Sequence, residues 1–257
     1  MDRRAKLTWL LVAVGCALVA VAGCCDDDDT KDGGGDAAHG DHDDSGAADG
    51  GADDDDAGAK PDLEKLSFFV TSDNSETGNL GGLKGADDRC NRLAKAAGVK
   101  NRTFAAYLSA DKNAAGEDSP VHARDRIGKG PWYNAKGVML AKDLDALHAL
   151  PAGNADLFLT EKGGKVNGQW EGSPSPVEHD VLTGSDADGK LMAGKTCASW
   201  TSADVGMKAW VGHCDGLGPM RNPAPPYNSW NSSHENQDCS NTVPRGGAGK
   251  LYCFAVK

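Results

Sequence analysis

From Asp26 to Asp62 the chain holds almost no large apolar residue, and its aspartates come in blocks at 26–29 and 53–56 separated by Gly and Ala. Such a segment buries too little surface to offset its ordering entropy, so it reads as a disordered tether and confines any folded core to residues 63–257. The tether carries 15 Asp against Lys31 and Lys60, more negative charge than the whole chain's net −11, and residues 63–257 are neutral. The acidity therefore belongs to the tether, whose self-repulsion should extend it beyond the roughly 35 Å of a flexible coil of this length. A neutral domain offers no general attraction to polyanions, which argues against a nucleic-acid partner. His39 and His42 lie among Asp36, Asp41, Asp43 and Asp44, but mobile ligands without fixed geometry support only weak, non-specific cation binding.

Ahead of the tether, Arg3, Arg4 and Lys6 precede an apolar run from Leu7 to Ala22, the charged-then-apolar order of a secretory signal. That run falls short of the roughly 20 apolar residues of a membrane-spanning helix. An uncleaved signal anchor is the alternative, disfavoured by the small residues that close the run. The sequence Val21-Ala22-Gly23-Cys24 resembles the lipobox of bacterial lipoproteins. That resemblance implies removal of residues 1–23, diacylglycerol on Cys24, an acylated amine of the palmitate type, and an envelope protein held on the outer or cytoplasmic membrane by its lipid. Cys25 is a second, weaker candidate for the lipid.

The 34 Gly and 11 Pro are spread as turn signals between short apolar runs in 63–257, which predicts one loop-rich α+β domain without internal repeats. Ser67-Phe68-Phe69-Val70-Thr71 predicts a first strand, and Phe104, Ala106 and Leu108 mark one face of another. Ala86, Cys90, Leu93, Ala94 and Ala97 share a helical face, predicting a helix from about 86 to 97 with Asp87 and Asp88 in its first turn and Gly98 beyond its end. Hairpins are expected near Asn134-Ala135-Lys136-Gly137 and Gly163-Gly164, a short helix at 143–149, a buried strand at Trp210-Val211-Gly212, and a central strand at 251–256.

Three blocks carry a family resemblance. Thr77-Gly78-Asn79-Leu80-Gly81-Gly82-Leu83-Lys84-Gly85-Ala86-Asp87-Asp88-Arg89-Cys90, running on to Thr103-Phe104-Ala105-Ala106-Tyr107-Leu108-Ser109, is similar to the opening of endostatin-like domains. So are Thr183-Gly184-Ser185-Asp186-Ala187-Asp188-Gly189-Lys190 leading to Thr196-Cys197-Ala198-Ser199-Trp200-Thr201, and the closing Leu251-Tyr252-Cys253. The same blocks, with an ending like Gly246-Gly247-Ala248-Gly249-Lys250-Leu251-Tyr252-Cys253-Phe254-Ala255, resemble a family of spirochaete and myxobacterial lipoproteins of unknown function. The resemblance implies a C-type-lectin-like fold with a small twisted antiparallel sheet, two helices and long loops. It also implies nested disulfides joining Cys90 to Cys253 and Cys197 to Cys239. Cys214 is then left over; it is expected as a partly buried free thiol, with intermolecular pairing or a different connectivity as alternatives.

No His-Glu-x-x-His, Gly-x-Ser-x-Gly, phosphate-cradling glycine loop or Cys-x-x-Cys occurs in the chain, so no catalytic residue, metal ligand or cofactor is assigned. His122, His148, His179, His213 and His234 read as scattered single histidines. Calcium-dependent lectins use a Pro-centred triplet and a Trp-Asn-Asp triplet, and this chain has Trp230-Asn231-Ser232 and neither Pro-centred form, which leaves the usual sugar-bridging calcium short of oxygens. Asp186-Ala187-Asp188-Gly189 reads as a turn. Trp200, beside a cysteine, is expected in the core. The segment Gly216–Asp238, aromatic and proline-stiffened, is the expected binding loop, with Tyr227, Trp230, Asn231 and Glu235 as ligand-contacting residues. The expected function is a non-enzymatic glycan- or protein-binding adhesion module on the cell surface, with an envelope-structural lipoprotein or an enzyme with an unrecognised site as alternatives.

Overall fold

The computed structural model describes residues 60–256; the expectations for the signal at 1–23, the lipid at Cys24 and the tether up to residue 59 lie outside the described residues. Within them the fold is α+β, with nine short strands in three small sheets and two α-helices. No helix among the described residues is long and apolar enough to cross a membrane.

The chain's two ends meet in the first sheet. Strand β1 (Phe68–Val70) and strand β2 (Phe104–Ala106) flank the C-terminal strand β9 (Tyr252–Ala255), all antiparallel, so the last strand is central as expected. Alternation sends successive side chains to opposite faces, and both faces here are buried. Phe69, Phe104, Ala106 and Cys253 enter one apolar cluster beneath helix α1 (Gly82–Ala97). Phe68, Val70, Tyr252 and Phe254 enter a second, which holds Tyr107, Trp132, Phe158 and Trp230.

Helix α1 starts four residues earlier than the sequence predicts. Gly81 and Gly82, both at positive φ, make the turn into the helix, and Leu83 adds a further buried residue to its inner face. Asp87 therefore lies outside the first turn. Its Oδ1 accepts from the Ala106 backbone N–H at 2.8 Å, and its carboxylate takes both ends of the Arg126 Nη2 contact at 2.9 and 2.7 Å, tying helix to strand. The helix ends at Gly98 (φ 104), as the sequence predicts.

Strand β3 (Trp132–Tyr133) and strand β4 (Met139–Ala141) form the hairpin expected around Asn134 to Gly137. Helix α2 (Leu144–His148) is capped by the Asp143 side chain. At Gly163-Gly164 there is a turn without flanking strands, closed by Thr160 N–H to Gly164 O at 2.8 Å. Asp186 to Lys190 is also a turn.

Both disulfides implied by the resemblance form, Cys90–Cys253 and Cys197–Cys239, and Cys214 is free and buried. In the loop-entropy account the longer closure contributes about 5 kcal/mol and the shorter about 4 kcal/mol. The first bonds α1 to the central strand. The second anchors Cys197–Trp200, a single left-handed helical turn whose four residues all have positive φ. Such a turn costs roughly 1–2 kcal/mol per residue. It is held by the disulfide and by Trp200, fully buried with its Nε1–H donating to Ser109 O at 2.8 Å.

Candidate functional site

The second sheet positions the site. Its order is β7 (His234–Glu235), β6 (Trp210–His213), β5 (Asp180–Leu182), β8 (Gly247–Lys250), antiparallel except for the β5–β8 pair. Asp180 sits directly across from His213, and His234 directly across from Val211. Because Val211 and His213 are two residues apart on one strand, Asp180, His213 and His234 fall on one face. His179 immediately precedes the strand, and its ring stacks on that of His213 at 4.3 Å and 14°.

In all three histidines the Nδ1 atom is committed. His179 Nδ1 faces Asp215 Oδ1 at 2.8 Å, His213 Nδ1 faces Tyr227 O at 2.9 Å, and His234 Nδ1 faces Glu235 O at 2.8 Å. A backbone carbonyl only accepts, so His213 and His234 carry their hydrogen on Nδ1 and each, when neutral, turns an Nε2 lone pair inward. Those two Nε2 atoms are 2.8 Å apart. Two inward lone pairs at that distance repel each other, so the arrangement favours a cation nearby.

The inward side is otherwise built from acceptors. Asp180 is 2% exposed, and neither of its carboxylate oxygens has a hydrogen-bond partner. His213 Nε2 and His179 Nε2 stand 3.2 and 3.4 Å from Asp180 Oδ1, and His234 Nε2 stands 3.7 Å from Oδ2, close enough for ion pairing but without hydrogen-bond direction. A buried, unpaired carboxylate is costly unless a cation meets it.

Asp215 makes the arrangement rigid. Its carboxylate accepts from Gln169 N–H at 2.6 Å, from Leu217 N–H at 3.1 Å and from His179. Burial works against its charge, yet these donors hold its pKa below the usual carboxylate value. Burial likewise works against a charge on His179, and Asp215 with Asp180 outweighs it, raising the pKa: the centre draws positive charge. A histidine oriented through its far nitrogen by a carboxylate is the supporting arrangement of metal-ligating histidines.

The ligating atoms of His179, Asp180 and His213 all lie within 4.8 Å of one another, with His234 next to them at the mouth. Bonds of 2.0–2.1 Å to a tetrahedral zinc ion imply ligand separations of about 3.3–3.4 Å, which the 3.2 and 3.4 Å contacts to Asp180 Oδ1 approach, although the His179 and His213 rings are stacked at 14° and one of them must turn to aim its lone pair at a shared ion. Two histidines and one carboxylate are a ligand set that leaves a metal position free for another group. The three histidines line a cleft of about 560 Å³ together with Gln169, Lys208, Pro219, Tyr227, Glu235 and Arg245.

The four residues expected in the binding loop divide. Tyr227 lines the cleft and stacks on His213 at 6.0 Å and 9°. Glu235 also lines it, ion-paired to Lys195 and Lys208 at 2.5 and 3.1 Å, and these lysines hold its pKa down. The exposure expected of Trp230 is corrected: it is 2% exposed, with Tyr107, Tyr252 and Phe158 rings at 4.9, 5.3 and 5.8 Å, because its strand-facing loop closes the second core. Asn231 is buried too, its Nδ2 donating to Tyr107 Oη and to the Asp186 and Ala187 carbonyls. Three of the five histidines that read as scattered in sequence are brought together, and Asp180 and Asp215 were not singled out at all. The signal that reveals them, cross-strand register, does not exist before the strands are paired. No protein-family model matches the chain, and no curated protein matches it.

Proposed function

We propose that this is an extracytoplasmic binding module, carried on the bacterial envelope by a lipid on Cys24, whose binding centre is a zinc-class divalent metal ion held by His179, Asp180 and His213. The carrying observation is the buried Asp180 carboxylate, with no hydrogen bond to either oxygen, facing three histidines whose Nδ1 atoms are already engaged. Imidazole nitrogens with one carboxylate suit zinc, iron, nickel or copper, and zinc brings no redox chemistry of its own. Ligands of the module, glycan or protein, would then meet the metal and the Tyr227 ring rather than Trp230.

A C-type-lectin-like identity for the domain is part of this reading; the two nested disulfides and the pairing of both chain ends in one sheet support it. The disulfides also fit an oxidising compartment. Binding is favoured over hydrolysis because Glu235, the one carboxylate among the cleft-lining residues, is neutralised by two lysines and so is a poor proton acceptor.

The test is metal content of the full-length protein, purified in detergent and dialysed against a weak chelator, by mass spectrometry. About one zinc per chain is expected, and none in His179→Ala or His213→Ala. Equal metal in wild type and both variants would assign it to the acidic tether and overturn the centre.

A further inference from the structure

Arg245 stands at the rim of the same cleft in an unusual backbone state. Its φ is +67, in the left-handed region that costs a residue with a side chain, and Gly246 after it has φ +103. A Cβ added at Gly246 would lie 3.2 Å from His179 Nε2, so the Arg245-Gly246 strap runs directly over a metal-ligating atom. The missing side chain at Gly246 leaves that approach open. Arg245 is exposed and has no ion pair with a described residue, whereas the other basic residue lining the cleft, Lys208, is paired with Glu235.

We propose that the outward position of the metal takes a carboxylate group of the ligand, with the Arg245 guanidinium gripping its other oxygen. This rests on the metal reading above. A divalent ion against Asp180, with one unpaired arginine beside it, leaves the cleft positive and selects an anion. The two points of attachment, one metal position and one planar donor fork, match the two oxygens of a carboxylate in a plane. Tyr227 and Pro219 supply apolar walls for whatever carries that carboxylate. An acidic sugar and a peptide C-terminus both present this chemistry.

Cobalt in place of zinc makes the coordination visible, because its absorption bands respond to a change of ligand. The full-length protein would be loaded with cobalt and titrated with acetate, then with inorganic phosphate, glucuronate and a short peptide with a free C-terminus. A saturable band shift with acetate is expected, and about a tenfold weaker response in Arg245→Asn, which tolerates the left-handed backbone and keeps the cobalt. Of the two larger probes, the one binding more tightly than acetate identifies the source of the carboxylate. Cobalt bound with no acetate response would show a closed metal site, with His234 as a fourth ligand, and would overturn this inference while leaving the metal centre standing. Phosphate binding more tightly than acetate, or an unchanged response in Arg245→Asn, would also overturn it. Failure to bind cobalt at all would instead sink the metal reading itself.

Discussion

The Nε2 atoms of His213 and His234 stand 2.8 Å apart while the Nδ1 atom of each ring faces a backbone carbonyl. Neither neutral ring can donate to the other in that arrangement, so the facing lone pairs repel and favour a cation nearby. The behaviour of the buried carboxylate below it follows from the same requirement.

In metal-free protein, Asp180→Asn should lower the melting temperature at a pH where His179 is charged, because it removes a carboxylate that, with Asp215, supports the charge of that buried ring. Zinc at about 100 times its dissociation constant should stabilise the wild type by about 2.7 kcal/mol, a rise of about 5–10 °C for a domain of this size. The variant should show no such rise. Thermal denaturation with and without zinc measures both; a variant that gains as much from zinc as the wild type would remove Asp180 from the ligand set.

Trp230→Ala should cost about 3–5 kcal/mol of stability in denaturant titrations, as emptied aromatic core sites do, since the ring fills the space between Tyr107, Phe158 and Tyr252. Tyr227→Ala, at the half-buried cleft wall, should cost about 1 kcal/mol or less. Equal costs for the two would contradict the division between core and cleft.

Burial pushes the Cys214 thiol well above its usual pKa, and the Asp215 charge adds to the effect. Thiolate is the reactive form, so Cys214 should resist a thiol reagent at neutral pH in the native state and react at once after unfolding under non-reducing conditions. One reactive thiol in the denatured domain is expected; a Cys214 peptide linked to Cys197 or Cys239 in a non-reducing digest would contradict the pairing.

Lipidation at Cys24 predicts that Cys24→Ala accumulates as the unprocessed precursor and takes up no labelled fatty acid. Continued labelling of that variant would move the lipid to Cys25.

Much of the frame was legible in the chain because local chemistry decides it. Gly98 ends α1 since only a glycine turns left-handed there without strain, and Leu251 to Val256 reads as a central strand because both of its faces are apolar. The resemblance placed Cys90 with Cys253 and Cys197 with Cys239, and the fold brings those pairs together. Trp230 misled because proline, glycine and asparagine around it describe the backbone of a loop and say nothing of which way a ring points. The site was illegible for a related reason. His179, Asp180, His213 and His234 become neighbours only through the register of β5 on β6 and of β6 on β7, and one residue of slippage would send Asp180 to the opposite face. Turn chemistry, hydrophobic period and tether charge are properties of short stretches, so the sequence determined them alone. The charge-hungry centre is a sum over side chains from three strands and a loop, and only long-range pairing decided which of them share a face.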